Sequence, residues 1–322
     1  MRTMTGKKIR YPLEQWGASG RGDWVFTVAH PSGLVGAHAR LIDRALRDAE
    51  RVDYCIYAPR VTATRTPFGL EAEESSCGVC VTDHRFIISR NLHREGSPPT
   101  VSSIDFNDIL WCHLGSAMLL SWLSLVYIQE GGVQRRTILF GSNGKHHFEK
   151  ALRVYKKQCR SFGISDDTVC PSSPGRFLHS VSNKVHRNYL KTLITSNEMC
   201  MLSFPAHYIW GFTNAKRFMR GREPQAYTAS KATVLLTTKA LLLARDAAEE
   251  TIRIRVDVLN ISLDKIRSVD VEYVSHGECR AEKIHILFNR EAKDAHMDIL
   301  LLCSDDAVMQ CVNTIRQLRA EN

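Results

Sequence analysis

Three stretches of this 322-residue chain place reactive residue types at short spacing. Cys77-Gly78-Val79-Cys80 is the one close cysteine pair. A four-ligand zinc site wants a second pair at similar spacing, and the cysteines at 55, 112, 159, 170, 200, 279, 303 and 311 supply none. Scattered cysteines in a reducing compartment are small buried hydrophobes, so neither a metal nor a cofactor is expected, and a redox dithiol is the less favoured reading of the pair. Gly141-Ser142-Asn143-Gly144-Lys145 has the outline of a phosphate loop. The Walker spacing, however, needs four residues between the glycines and Ser or Thr after the lysine; here two intervene and His146 follows. His146-His147 opens a predicted helix on adjacent faces, unsuited to joint ligation, and no G-x-S-x-G elbow occurs. With no recognisable nucleophile, acid–base pair or metal set, the chain is expected not to be an enzyme.

The stretch best suited to binding is Lys216-Arg217-Phe218-Met219-Arg220-Gly221-Arg222. Lys216, Arg217, Arg220 and Arg222 can attract anionic lipid or phosphate groups while Phe218 and Met219 insert at an interface. The competing reading is a solvated basic loop, or one docked on acidic residues elsewhere in the chain. A formal charge of +9 suits an acidic partner without naming it. Nucleic acid is the disfavoured choice: single-strand binders do interleave cations with aromatics, but Trp210 and Phe212 beside this cluster also fit the end of a strand.

The elements that must position these residues are mostly strands. Residues 1–36 read as an N-terminal arm, with the apolar run Trp24–Val28 and an Arg21-Gly22-Asp23 tripeptide that carries no adhesion meaning in a chain whose start lacks the apolar core of a secretory signal. Leu41, Ile42, Ala45 and Leu46 predict a helix over 37–50, followed by a strand at Val52–Ala58. Further strands are expected at Val101–Leu114, Trp122–Gln129 and Thr137–Phe140. Phe148, Ala151, Leu152, Tyr155 and Cys159 then form the stripe of an amphipathic helix, with Ser142 and Asn143 as capping candidates. The longest apolar run, Leu114–Ile128, is broken by Gly115, Ser116, Ser121 and Ser124 and falls short of the roughly 20 residues a bilayer span needs. A cytoplasmic protein without a membrane span is expected, with peripheral contact at the inner membrane as its one membrane association.

After a linker at 161–186, rich in Pro and Ser, the order begins again. A helix ends near Asn197-Glu198, as one ends near Arg47-Asp48-Ala49-Glu50. The corner Cys80-Val81-Thr82-Asp83-His84-Arg85-Phe86-Ile87-Ile88-Ser89-Arg90 returns as Leu235-Leu236-Thr237-Thr238-Lys239-Ala240-Leu241-Leu242-Leu243-Ala244-Arg245. Ile104–Ile109 is echoed by Ile261–Ile266, and further strands follow around Ile284–Ile286 and Ile299–Leu301. Val308, Cys311, Val312 and Ile315 repeat the stripe of the first closing helix 160 positions on (308 − 148), while the corners differ by 155 (237 − 82). A creeping offset is what loop insertions in a duplicated unit produce.

The unit so defined, an acidic residue before a first strand, an apolar-Thr corner, several strands and one closing helix, resembles the pleckstrin-homology (PH) superfamily and its GRAM-like and bacterial PH-like members. The resemblance implies an α+β, mainly β fold: two PH-like, partly open barrels of about seven strands at 37–160 and 187–322, each closed by a C-terminal helix. It implies a non-catalytic tandem binding or scaffold protein, and it sets Lys216–Arg222 between the first two strands of the second copy, where some PH domains present cations to phosphoinositides. The partner is then an anionic membrane surface or an unidentified protein; a protein–protein adaptor without lipid binding is the alternative. The second copy has Ala240 where the first has Arg85, which fits an arginine that merely pairs on the surface.

Overall fold

The computed structural model describes residues 24–63, 72–74, 76–90, 99–117, 120–162, 178–212, 227–246, 255–276, 279–289, 295–303 and 306–320. The chain divides into two compact units, Met1–Ser103 and Ile104–Asn322.

In the first unit the short run after Trp24 becomes strand β1 (Phe26–Val28), and helix α1 (Ala37–Ala45) follows. The predicted helix stops five residues early because Leu46 turns to extended backbone and Ala49 enters the left-handed region at φ 65°. Then come β2 (Val52–Ala58), the hairpin β3 (Val61–Ala63) and β4 (Ala72–Glu74), β5 (Cys77–Thr82), β6 (Arg85–Arg90) and β7 (Thr100–Asp105). The main sheet has the order β1-β2-β5-β6-β7. Val79 to Val81 and Phe86 to Ile88 are buried at every position, without the alternation of a half-exposed strand. The cause is α1, which packs on β5 and β6 and adds Ile42 to a cluster with Phe26, Cys55, Cys80 and Ile87. Strands covered on both faces have no solvent side to mark with polar residues.

The second unit contains β8 (Ile109–Ala117), β9 (Leu120–Gln129), β10 (Gly132–Gly141), α2 (Lys145–Gln158), α3 (Lys184–Leu193), β11 (Cys200–Phe212), β12 (Tyr227–Thr237), β13 (Ala240–Asp246), β14 (Arg255–Ser262), β15 (Ile266–His276), β16 (Cys279–Phe288), β17 (His296–Leu302) and α4 (Ala307–Ala320). The single strand expected over Val101–Leu114 is two strands. A 3-10 turn at Phe106–Asp108 separates β7 from β8, and Leu263–Lys265 separates β14 from β15 in the same way. Phe106 and Leu263 are buried, so each break is anchored by an apolar side chain. Ser142 and Asn143 do not cap α2. They form a 3-10 turn that runs directly into it, leaving Gly144 at the N-cap without a side-chain bond. The helical stripes are as expected, with Phe148, Ala151 and Leu152 on α2 and Val308, Cys311, Val312 and Ile315 on α4 fully buried.

Ten strands make one sheet in the order β10-β9-β8-β14-β13-β12-β11-β17-β16-β15, and no sheet among the described residues closes on itself. Two separate barrels of about seven strands are therefore not what forms. β8 and β14 pair antiparallel over Trp111↔Ile261 to Ala117↔Arg255, so β8–β10 share a sheet with the strands that follow α3. Trp111 stacks on Phe288 with ring centroids 5.2 Å apart. No described helix is long and apolar enough to cross a membrane.

The β8–β14 junction is tightly filled. A Cβ on Gly115 would lie 2.1 Å from Trp122 Cζ2 and 2.8 Å from Asp257 Cβ. Gly115→Ala should therefore destabilise the chain by about 2 kcal/mol through overpacking, read as a lower urea midpoint with altered tryptophan fluorescence. An unchanged midpoint would show that the junction is looser than this.

Candidate functional site

The two corners found in the sequence are built alike. Thr82 Oγ1 accepts the backbone N–H groups of Arg85 at 3.0 Å and His84 at 3.4 Å. Thr237 Oγ1 accepts those of Ala240 at 3.0 Å and Lys239 at 3.2 Å. Each threonine thus closes its own hairpin turn, which is why this residue recurs while its polar neighbours change.

A buried glutamate stands beside each corner. Glu50 Oε2 accepts the Arg47 N–H at 2.9 Å, and Glu198 Oε1 accepts the Thr195 N–H at 2.9 Å. The glutamates and these donors share one offset, 148 (198 − 50 and 195 − 47). Asp83 N–H donates to the Arg51 carbonyl at 3.1 Å, and Thr238 N–H to the Met199 carbonyl at 2.9 Å, tying each corner to the residue after its glutamate.

Arg85 is not the surface pair expected from the sequence. It is 3% exposed. Its Nε donates to Glu50 Oε1 at 2.7 Å and its Nη2 to Glu50 Oε2 and, at 2.9 Å, to the carbonyl of Ala45, the last residue of α1. Burial raises the Glu50 pKa, but the hydrogen bonds from Arg85, Arg47 and Thr82 and the arginine charge more than offset it and bring it down to about 2. At the second corner burial again acts upward on Glu198, and the charge and hydrogen bond of Lys156 with those of Thr195 bring its pKa below the ordinary value. Lys156 Nζ lies 2.8 Å from Glu198 Oε2, and Thr237 Oγ1 lies 2.9 Å from the same oxygen.

Two buried histidines that belong to no sequence motif sit on the covering helices at the same offset (186 − 38 = 148). His38 bonds Ser89 Oγ at 2.8 Å and Ser76 Oγ at 3.0 Å. His186 bonds Thr233 Oγ1 at 2.9 Å and Asp246 Oδ1 at 3.0 Å. With both ring nitrogens engaged, each histidine fixes its helix on the sheet and leaves no lone pair for a metal.

A third buried charge cluster lies at the β8–β14 junction. Arg245 Nε donates to Asp257 Oδ1 at 2.6 Å, and the guanidinium lies 4.3 Å from the Tyr208 ring centroid. His113 on β8 stands 3.3 Å from Arg245 Nη2. Burial first, then the Arg245 charge, lowers the His113 pKa to about 3, so its imidazole is neutral and accepts from the arginine.

A groove of about 410 Å³ opens at the N-terminus of α3, lined by Ser182, Asn183, His186, His207, Lys231 and Thr233 among others. His207 and Lys231 face each other in register on β11 and β12. Asn183 Oδ1 already accepts the N–H groups of Val185 and His186, which spends two of the donors a helix start could offer an anion.

The structure does not join Cys77 to Cys80. Three positions apart on β5, they point to opposite faces. Cys80 is instead in register with Cys55 on β2, and the neighbouring thiol together with burial pushes its pKa far above the ordinary range, the opposite of a reactive thiolate. His146 and His147 come closer than adjacent faces suggest, with ring centroids 3.8 Å apart. Among the described residues no group of three or more metal-ligating side chains is present. Lys216, Arg217, Phe218, Met219, Arg220 and Arg222 lie outside the described residues. The segment that carries them joins β11 to β12, whose pairing reaches Phe212↔Tyr227.

The depressed pKa of Glu50 makes a pH test. Its folded value of about 2 lies below the ordinary 4.5, so its contribution is complete above pH 4.5 and fades as pH falls from there towards 2. That contribution is on the order of 3 kcal/mol. In urea unfolding, the gap in stability between wild type and Glu50→Gln should narrow steadily between pH 5 and pH 3. A gap of constant size would contradict the ion pair.

No model of a known protein family matches the chain, and a search of curated proteins gave no match either. Among solved structures, the Vps36 N-terminal PH domain is similar over 39% of this chain and 82% of that domain, at 12% sequence identity and a TM-score of 0.23.

Proposed function

We propose that the chain is a non-catalytic binding or scaffold protein made of two PH-like, GRAM-like copies. Its tandem character rests on the repeated corner: the same threonine bonds, the same glutamate with its backbone donor, and the same bond from corner to strand start, at constant offsets within each element. Around them the same order recurs, from a covering helix through strands, a 3-10 break and three more strands to a closing helix.

In this reading the corners are framework, and recognition belongs to the connections between strands. The connection from β11 to β12 carries Lys216, Arg217, Arg220 and Arg222 with Phe218 and Met219. Its proposed target is an anionic membrane surface. Each cation near such a surface contributes about 1 kcal/mol, so four are enough for measurable association once the apolar pair inserts. A second reading, a protein–protein adaptor, draws on the two ends of the ten-stranded sheet. β10 and β15 are edge strands of 10 and 11 residues, and β15 presents Tyr273 half-exposed, a surface suited to strand addition.

Sedimentation with vesicles separates the two. Wild type should pellet with phosphatidylcholine vesicles containing about 20% phosphatidylserine and remain in the supernatant with pure phosphatidylcholine, more weakly as salt rises. The variant Lys216→Ala/Arg217→Ala/Arg220→Ala/Arg222→Ala should lose this binding. Equal pelleting with both vesicle types, or a variant that binds as wild type does, would end the lipid reading in favour of the adaptor.

A further inference from the structure

The first corner draws its cation from its own sequence, since Arg85 stands three residues after Thr82. Three residues after Thr237 stands Ala240, which is 1% exposed and offers no charge. Glu198 is nevertheless as deeply buried as Glu50, with its side chain fully covered. A buried carboxylate without a countercharge would be protonated or expelled. Its countercharge comes from a helix 42 residues earlier in the chain. Lys156, in the last turn of α2, reaches Glu198 Oε2 at 2.8 Å and also donates to the carbonyl of Leu193 at 2.8 Å. Leu193 is the last residue of α3, as Ala45, the carbonyl partner of Arg85, is the last of α1. Both cations therefore satisfy the same pair of acceptors, a glutamate and a helix-end carbonyl five residues before it (50 − 45 and 198 − 193).

We propose that the second corner has handed its cation to α2: Lys156 takes the place of the arginine that Ala240 lacks, and the helix ending the first run of strands is thereby a structural part of the second. Lys239, 2% exposed, returns the contact by donating its ammonium to the Lys156 carbonyl at 3.3 Å in the last turn of α2. A cation at that end also suits the helix dipole. At the other end of α2, Lys145 Nζ sits 3.4 Å from the Tyr189 ring centroid on α3. The consequence concerns the two proposed copies. Parting them between α2 and α3 leaves Glu198 buried without its charge, so they are one cooperative body from α2 onward, not two modules that could work apart. The inference rests on the two corners being equivalent positions of a repeat.

The test is a compensation experiment in the full chain, read by thermal unfolding. Lys156→Met should lower Tm by on the order of 10 °C, as loss of one partner of a buried pair does in a unit of this size. Lys157→Met, at the exposed neighbour, should change it by less than about 2 °C. Introducing Ala240→Arg into the Lys156→Met protein should recover at least half of the loss, because the arginine then enters the site from the position that Arg85 uses. In the wild type Ala240→Arg should destabilise, since two cations would crowd one carboxylate. The proposal is overturned if the double variant is no more stable than Lys156→Met, or if Lys156→Met behaves like Lys157→Met. A failed rescue with Thr82→Val and Thr237→Val both destabilising would sink the transfer of the cation alone. A cost from only one of the two threonine changes would sink the equivalence of the corners.

Discussion

A carboxylate taken out of water must find a cation and enough donors for its lone pairs, and this demand organises both halves of the chain. Glu50 and Glu198 each gather the end of a helix, the start of a strand and the turn of a hairpin at one buried point. Remove the charge partner and three elements lose their common anchor, which is costlier than the loss of any single surface pair. Replacing the whole network by apolar side chains could preserve burial, but it would not fix where the helix stops or how the hairpin enters the sheet. Specific geometry is what the polar atoms supply here.

The ten-stranded sheet depends on that fixing. The corner at Thr237 starts β13, β13 pairs with β14, and β14 carries the junction with β8. At the junction the contacts change from apolar to polar along the strands. Trp111 stacks on Phe288 near one end, whereas the buried Arg245–Asp257 ion pair and the neutral His113 form a polar set near the other, where Gly115 makes room for Trp122. A one-residue slip would put Asp257 on the wrong face, away from its arginine, so the polar set specifies register as the apolar contacts alone would not.

Much of this framework could be read from residue order. The stripe Phe148, Ala151, Leu152 and Tyr155 and its echo at Val308 marked both closing helices, and the threonine corners and the acid before each first strand marked the parts of the anchor, though not the buried ion pair that joins them. What could not be read has physical causes. Leu235, Leu236 and Leu241 to Leu243 show no alternation because α3 and the core cover both faces, so their period says nothing about which helix packs on them. Cys80 found its neighbour in Cys55, 25 positions away, since pairing across strands outranks proximity along the chain. The breaks at Phe106 and Leu263 fall inside runs that alternate as a strand does, so the strand-disfavoured Asn107, Asp108 and Asp264 mark them only weakly.

The absence of an arginine at Ala240 changes its meaning with where the charge is counted. Within its own corner the change is a loss, and a lost cation usually signals a lost site. The carboxylate beside it stayed, however, and an acid that remains buried obliges the fold to neutralise it from another element. Lys156 meets that obligation from a helix with no sequence relation to the corner. If the two corners are copies, as proposed, their residues have lost symmetry while their electrostatics have kept it. Under the proposed repeat, constancy belongs to the buried anchor, and the connections between strands are where the two halves differ, the one holding Lys216 to Arg222 being the most highly charged.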